Sequence, residues 1–216
     1  MQKSSNTKIR VLIADDHVLV REGLKSLLHE ESDILVIGEA QNGQEVLDAV
    51  RKYACDVILL DISMPLKSGL DVLQELKKYR VKVPVLVLTM HPEERFAVRA
   101  LKLGAAGYIT KETAPKELVT AIRKVVTGRK YVSAPLAEKL VLELEGGKKL
   151  PHEFLSNREF QILCMIATGK KAPAIAKELA LSLGTVYGYR IRILKKMNMK
   201  TNFELTHYAV DHHLVD

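Results

Sequence analysis

Apolar runs and helical patterns alternate through the first half of this chain. Short runs rich in β-branched residues occupy 8–14, 34–40, 56–62, 83–89 and 106–110. Their length and composition suit buried strands. Between them lie LVREGLKSLLHE, GQEVLDAVRKY, GLDVLQELKKY, ERFAVRALKLG and PKELVTAIRKVV, each with apolar residues three and four apart, the spacing of an amphipathic helix. Five strand–helix repeats predict an α/β domain over residues 8–126, a doubly wound five-stranded parallel sheet with helices on both faces. Functional groups in such sheets gather beyond the carboxyl ends of the strands.

The rhythm stops after residue 126. Residues 127–150 read as a linker, with one short helix around Leu136 to Glu145 and then Gly146-Gly147. From 151 to 216 strand patterns vanish and four helices are expected, a small all-α domain. Ser156 with Glu159 three residues later is a capping-box pattern. The next helix begins near Pro173, a residue suited to a first turn. Ser182 caps a third helix, LGTVYGYRIRILKKM, and NFELTHYAVDHHL is the fourth. Short helices joined by tight turns fit a helix-turn-helix unit.

Composition adds exclusions. With 47% hydrophobic and 27% charged residues the chain is ordinary for a soluble globular protein. The polar start, MQKSSNTK, lacks the apolar core of a signal peptide, and the best apolar stretches are too short to span a bilayer. A cytoplasmic protein without a membrane partner is expected. Cys55 and Cys164 lie far apart in no metal-ligand spacing, as buried free thiols would. The net charge of +7 becomes informative once located: between Thr168 and Lys200 eight basic residues face one acid, Glu178, so that stretch carries the whole excess. A polyanion partner and a solvated basic face both account for it.

The sharper signal is at the strand ends. Asp15 and Asp16 follow the first strand and Asp61 ends the third, and a doubly wound sheet sets those strands side by side. Two carboxylates about 4 Å apart repel by roughly 4 kcal/mol at an effective dielectric near 20. A divalent cation removes that cost, and hard oxygen ligands suit Mg²⁺. Thr89 closes the fourth strand and Lys111 follows the fifth. A hydroxyl and an ammonium beside a metal-bound carboxylate suit a phosphoryl group, with Asp61 as nucleophile. Any one of these residues alone is explained as a turn or helix cap; all of them at successive strand ends make a site.

This set resembles the receiver domain of two-component response regulators, whose fold is flavodoxin-like. DISMPLKSGLDVL resembles the loop after the phosphoacceptor, and GAAGYITKETAPKELVTAIRKVVTGRKYVS resembles the NarL/FixJ branch. The second half, LSNREFQILCMIATGKK…LSLGTVYGYRIRILKKM, is similar to that family's LuxR-type helix-turn-helix. The resemblance implies that Asp61 accepts phosphate from a sensor histidine kinase. It implies Mg²⁺ on Asp16, Asp61 and the Ser63 carbonyl, with Asp15 acting through water. Thr89 would follow the phosphoryl group, Lys111 would contact it, and Tyr108 would be the second switch residue, although core packing equally accounts for Tyr108. A helix over Thr185–Met197 would read double-stranded DNA through Thr185, Tyr187, Tyr189, Arg190, Arg192, Lys195 and Lys196, with Lys170 and Lys171 nearby. Val186, Ile193 and Leu194 would face the core. Phe203, Leu205 and Tyr208 would serve dimerisation of the active form, or simply pack; His212-His213 read as exposed.

The chain also departs from the pattern. Where relatives read Thr-Val-Lys-x-His-Arg, this one reads Thr185-Val186-Tyr187-Gly188-Tyr189-Arg190, and KKAPAIA replaces the usual Asn-Lys-Glu-Ile-Ala entry. Gly184 and Gly188 each lower helix propensity by roughly 1 kcal/mol relative to alanine. Two other functions compete with the DNA-binding regulator. A haloacid-dehalogenase-type phosphatase would need an Asp two residues after the nucleophile, where Ser63 stands. A regulator acting through protein contacts, with weak or lost DNA binding, is kept open by Tyr187 and Gly188.

Overall fold

The computed structural model describes residues 8–144 and 150–215. Strands β1 (Ile9–Ala14), β2 (Ile34–Ala40), β3 (Val57–Leu60), β4 (Val85–Thr89) and β5 (Gly107–Thr110) alternate with helices α1 (Val18–His29), α2 (Gly43–Lys52), α3 (Gly69–Lys78), α4 (Glu93–Lys102) and α5 (Ala114–Val126). All pairings are parallel, in the order β2-β1-β3-β4-β5. This is the doubly wound sheet that the alternation predicts. Side chains alternate across each strand, so Val11, Ile13, Val57, Leu59, Leu86 and Leu88 pack in one core with Leu24 and Leu28 of α1 and Leu118, Ile122 and Val125 of α5. The intervening Leu12, Ile58, Leu60 and Val87 are equally buried on the opposite face. Burial on both faces explains why these strands read as continuous apolar runs.

The register aligns the strand ends. Ala14 pairs with Leu60, Leu60 with Val87, and Thr89 with Thr110. The residues that follow therefore emerge along one edge of the sheet. β3 is shorter than the predicted 56–62 because the chain turns after Asp61, with the Gly69 N–H donating to the Ile62 carbonyl at 3.0 Å. A side chain at position 69 would set its Cβ 2.1 Å from the Asp61 carbonyl oxygen. Glycine is required there by close approach.

Residues 127–133 differ from the predicted linker start. Tyr131 donates its N–H to the Ala106 carbonyl at 2.9 Å and its own carbonyl accepts from Tyr108 at 3.3 Å. This bridge satisfies the outer edge of β5, and Gly107 permits it: a Cβ there would lie 2.6 Å from the Tyr131 oxygen. Residues Arg99–Ser133 accordingly belong to the first compact unit, and the chain from Ala134 onward belongs to the second. The second contains α6 (Ala134–Leu144), a 3₁₀ turn (Pro151–Phe154), α7 (Asn157–Ala167), α8 (Ala172–Glu178), α9 (Leu183–Met197) and α10 (Asn202–Asp211). The predicted helix near Leu136 is α6; Gly146-Gly147 lie outside the described residues.

In the second unit α7 packs against α8, α9 and α10, and Ile162, Leu163, Ile175, Val186, Ile193, Met197, Leu205 and Ala209 are buried. Ser156 Oγ accepts from the Glu159 N–H at 3.3 Å while Glu159 Oε2 accepts from the Ser156 N–H at 2.8 Å, which is the anticipated capping box. Cys55 and Cys164 are buried free thiols. Among the described residues no helix is long and apolar enough to cross a membrane.

Candidate functional site: an acidic pocket and a basic helix pair

The pocket is built by the residues that leave β1, β3, β4 and β5. The Asp61 N–H donates to the Ala14 carbonyl at 2.9 Å, which sets Asp61 beside Asp15. The Lys111 N–H donates to the Thr89 carbonyl at 2.8 Å, which ties the other two strand ends together. Asp15 and Asp61 are 1% and 3% exposed and Thr89 is fully buried. The Lys111 ammonium reaches both acids, 2.6 Å from Asp15 Oδ2 and 2.8 Å from Asp61 Oδ2. Burial opposes the charge on Lys111, but the Asp61 and Asp15 carboxylates outweigh it and raise its pKa above the ordinary value. The ammonium is held charged, bridging the two acids.

Asp16 completes the cluster. One oxygen each from Asp15, Asp16 and Asp61, with a His17 ring nitrogen, lie within 4.8 Å of one another. Burial raises the Asp16 pKa, with repulsion from Asp61 and Asp15 adding to it and His17 acting against it. His17 Nδ1 lies 2.8 Å from Asp16 Oδ1, yet without hydrogen-bond geometry: that buried oxygen has no hydrogen-bond partner. A buried, undonated carboxylate oxygen among two further acids is what a divalent cation satisfies. The donor set fits a metal.

Three residues at this pocket were not singled out from sequence. Arg21 is buried, donating through Nη1 to the Asp15 carbonyl at 2.8 Å and through Nε to Glu39 at 2.8 Å, so it fixes the backbone that carries both leading acids. The signal was present, since Arg21 falls among the inward-facing positions of α1. His17 Nδ1 lies 3.3 Å from Asp15 Oδ1. His91 Nε2 lies 2.8 Å from Ser63 Oγ, and the Ser63 N–H donates to Asp61 Oδ1 at 3.3 Å. The Tyr108 hydroxyl donates to the His91 carbonyl at 2.9 Å, with its ring buried. A hydrogen-bonded route thus runs from Asp61 through Ser63 and His91 to Tyr108.

In the second unit, α8 and α9 form a helix-turn-helix. Its turn holds Ala180 in the left-handed region at φ 51°, the Leu181 N–H returns to the Ala176 carbonyl at 2.8 Å, and Arg158 Nη2 donates to the Leu179 carbonyl at 3.1 Å. Ser182 Oγ accepts from the Thr185 N–H at 3.1 Å and starts α9. Val186, Ile193 and Leu194 face inward as anticipated.

The predicted DNA-facing set divides. Tyr187, Lys195 and Lys171 are exposed, and Thr185 is exposed with its hydroxyl 2.7 Å from Ser182 Oγ. Arg192 lies over the Tyr189 ring, 4.5 Å from its centroid. Others are already engaged: Lys170 with Glu178 and Lys196 with Glu159, both at 2.6 Å, and Arg190 Nε with Asn202 Oδ1 at 2.6 Å. Burial works against the charge of Glu159, but hydrogen bonds from Lys196 and Ser156 hold its carboxyl below the ordinary range. Lys196 is therefore a structural contact of the domain. On α10, Leu205 and Tyr208 point into the core, because their spacing falls on the α7-facing side; Phe203 alone of the three dimerisation candidates is exposed. His212 is half-buried, its ring stacked on Tyr208 at 4.0 Å, so the expected exposed histidine pair reduces to His213.

Comparison with known proteins places both halves. Residues 11–123 match the response regulator receiver domain, and residues 153–209 match the bacterial regulatory proteins of the luxR family. The response regulator UvrY of Escherichia coli is 39% identical, with 95% of each chain covered. The response regulator GacA of Pseudomonas aeruginosa is 38% identical over 96% of this chain and 98% of its own. Among solved structures, a complex of the two-component response regulator RcsB with DNA is 25% identical, with a TM-score of 0.58 over 94% of this chain and 98% of that one.

Proposed function

We infer the function from family membership: this chain belongs to the NarL/FixJ response regulators, its first half a receiver domain and its second a luxR-family regulatory domain. We propose that it is a cytoplasmic transcription regulator, not an enzyme with a substrate of its own, switched by phosphorylation of Asp61 in a receiver spanning residues 8–133. The observation that carries this reading is the meeting of Lys111 with Asp15 and Asp61 at 2.6 and 2.8 Å, beside the undonated oxygen of Asp16.

Asp61 attacks the phosphorus of a phosphohistidine on a sensor histidine kinase. A carboxylate O–P bond forms, the N–P bond breaks, and the imidazole keeps the electron pair. Asp16, Asp61 and the Ser63 carbonyl would hold Mg²⁺ directly and Asp15 through water, and the ion would supply positive charge against the acids and the incoming phosphoryl oxygens. Lys111 exchanges its Asp61 contact for a phosphoryl oxygen, and the Thr89 hydroxyl donates to another. Tyr108 acts as the second switch residue, giving up its bond to the His91 carbonyl when the loop after Thr89 moves. Mg²⁺-dependent labelling by acetyl phosphate tests the site. Asp61→Asn should abolish it with the fold intact, and an Asn variant that labels as well as wild type defeats the assignment.

The partner of the second half is double-stranded DNA, gripped as a homodimer through α8 and α9, with Phe203 of α10 available to the dimer. The location of the entire excess charge between Thr168 and Lys200 supports this, and the RcsB relative is seen on DNA. A second reading, regulation through protein contacts, rests on Tyr187 standing where the pattern has a lysine, with Gly188 beside it. Retention of genomic fragments at low salt by the phosphorylated full chain separates the two.

A further inference from the structure

The outward surface of α9 is apolar where a groove-reading helix is expected to be polar. Leu183, Tyr187 and Ile191 recur every fourth residue and are 42%, 49% and 63% exposed. Four-residue spacing stacks them into one ridge along the helix. Beside it, added Cβ atoms at Gly184 and Gly188 would meet nothing nearer than 3.9 Å, so the helix backbone there is bare. Two exposed cationic side chains flank the ridge: Lys195 follows Ile191 by four residues, and Lys171 lines one hollow with Tyr187; neither has an ion-pair partner among the described residues. The ridge therefore lacks the paired donors that read guanine or adenine, while its surroundings retain charge for phosphates.

On the reading that α9 binds DNA, we propose that this ridge reads thymine methyl groups in the major groove, so that the chain selects sites by apolar contact with A·T pairs. Each thymine presents a methyl group that cytosine lacks, and apolar side chains are its natural partners. The bare strip at Gly184 and Gly188 lets the helix approach deeply enough for a short side chain such as Ile191 to reach the base edge. Charge complementarity favours DNA over a protein partner: an apolar ridge flanked by lysines suits a methyl-bearing groove walled by phosphates. Lys171 and Lys195 grip and the ridge discriminates.

The test starts with the phosphorylated full-length protein and a random-sequence duplex pool. Selected duplexes are remade with deoxyuridine in place of thymidine, which removes only the methyl group. Affinity should fall about fourfold per contacted methyl, with the salt dependence unchanged. Ile191→Ser, a change at an exposed position, should bind less tightly and lose sensitivity to at least one of those replacements. Selected duplexes whose affinity ignores every uracil replacement would overturn the methyl reading and leave DNA binding standing. Failure to retain any duplex at low salt would instead remove DNA as the partner, and with it this inference, in favour of a protein docked on the ridge.

Discussion

Replacing Lys111 by Met keeps the apolar stem and removes only the ammonium that bridges Asp15 and Asp61. At 2.6 and 2.8 Å, each contact carries about 6 kcal/mol of gross attraction at an effective dielectric near 20. Most of that is offset by the cost of desolvating three charges, and breaking a buried pair typically costs about 3–5 kcal/mol net. The receiver should therefore lose about 3–5 kcal/mol in EDTA, a fall of roughly 12–20 °C in its melting transition for a domain of this size. Added Mg²⁺ reverses the order of effects. The ammonium and the cation compete for the same oxygens, so the variant should bind Mg²⁺ more tightly and gain more from it. Labelling by acetyl phosphate should still drop, since no cation replaces the ammonium at the phosphoryl oxygen. Scanning calorimetry with EDTA and with a Mg²⁺ series checks both halves. Equal melting temperatures in EDTA, or equal Mg²⁺-induced rises in variant and wild type, would refute this account of the pocket.

Gly69→Ala should disturb the Asp61 turn, since the new Cβ falls 2.1 Å from the Asp61 carbonyl oxygen; acetyl-phosphate labelling should fall at least tenfold, while Gly184→Ala, in open space, leaves it unchanged. Lys195→Ala should lower the salt slope of DNA binding by about one ion, whereas Lys196→Ala should mainly destabilise α7 and α9 by about 1 kcal/mol, because buried Glu159 loses its nearest cation and keeps only Arg192 at 3.8 Å and the Ser156 N–H; salt titration and urea unfolding distinguish them. Glu159 has a lowered folded-state pKa, so its contribution is fully present above the unfolded value of about 4.3 and is lost as pH falls through the folded one. Glu159→Gln should thus speed amide exchange in the first turn of α7 at pH 7, with the gap from wild type closing towards pH 3.

What the sequence made legible follows periodicity and adjacency along the chain. The sheet was readable because strands buried on both faces are continuous apolar runs, and the pocket was readable because a parallel sheet sends every strand's carboxyl end to one edge. The Ser156–Glu159 capping box and the Ser182 cap are local devices spanning three or four residues, so they too survive as patterns. Less was visible wherever a contact joins distant segments without a periodic signature. Tyr131 pairs with β5 across an intervening helix, and nothing in GRKYVS marks it as an edge. The Ser63–His91 contact spans two loops whose lengths alone do not set their approach.

The basic segment shows the same boundary from the other side. Charge counting treats Lys170, Lys171, Arg190, Lys195 and Lys196 alike, because composition has no geometry. In the folded domain an acid sits within reach of Lys170 and Lys196, and Asn202 holds Arg190. Salt dependence of DNA binding should accordingly follow Lys171 and Lys195 more than the total charge, since a lysine already paired with a carboxylate displaces fewer counterions when a phosphate arrives. If removing Lys170 or Lys196 flattens the salt slope as much as removing Lys195 does, those internal pairs break on DNA. The whole basic set would then act as one surface, as the bare sequence suggested.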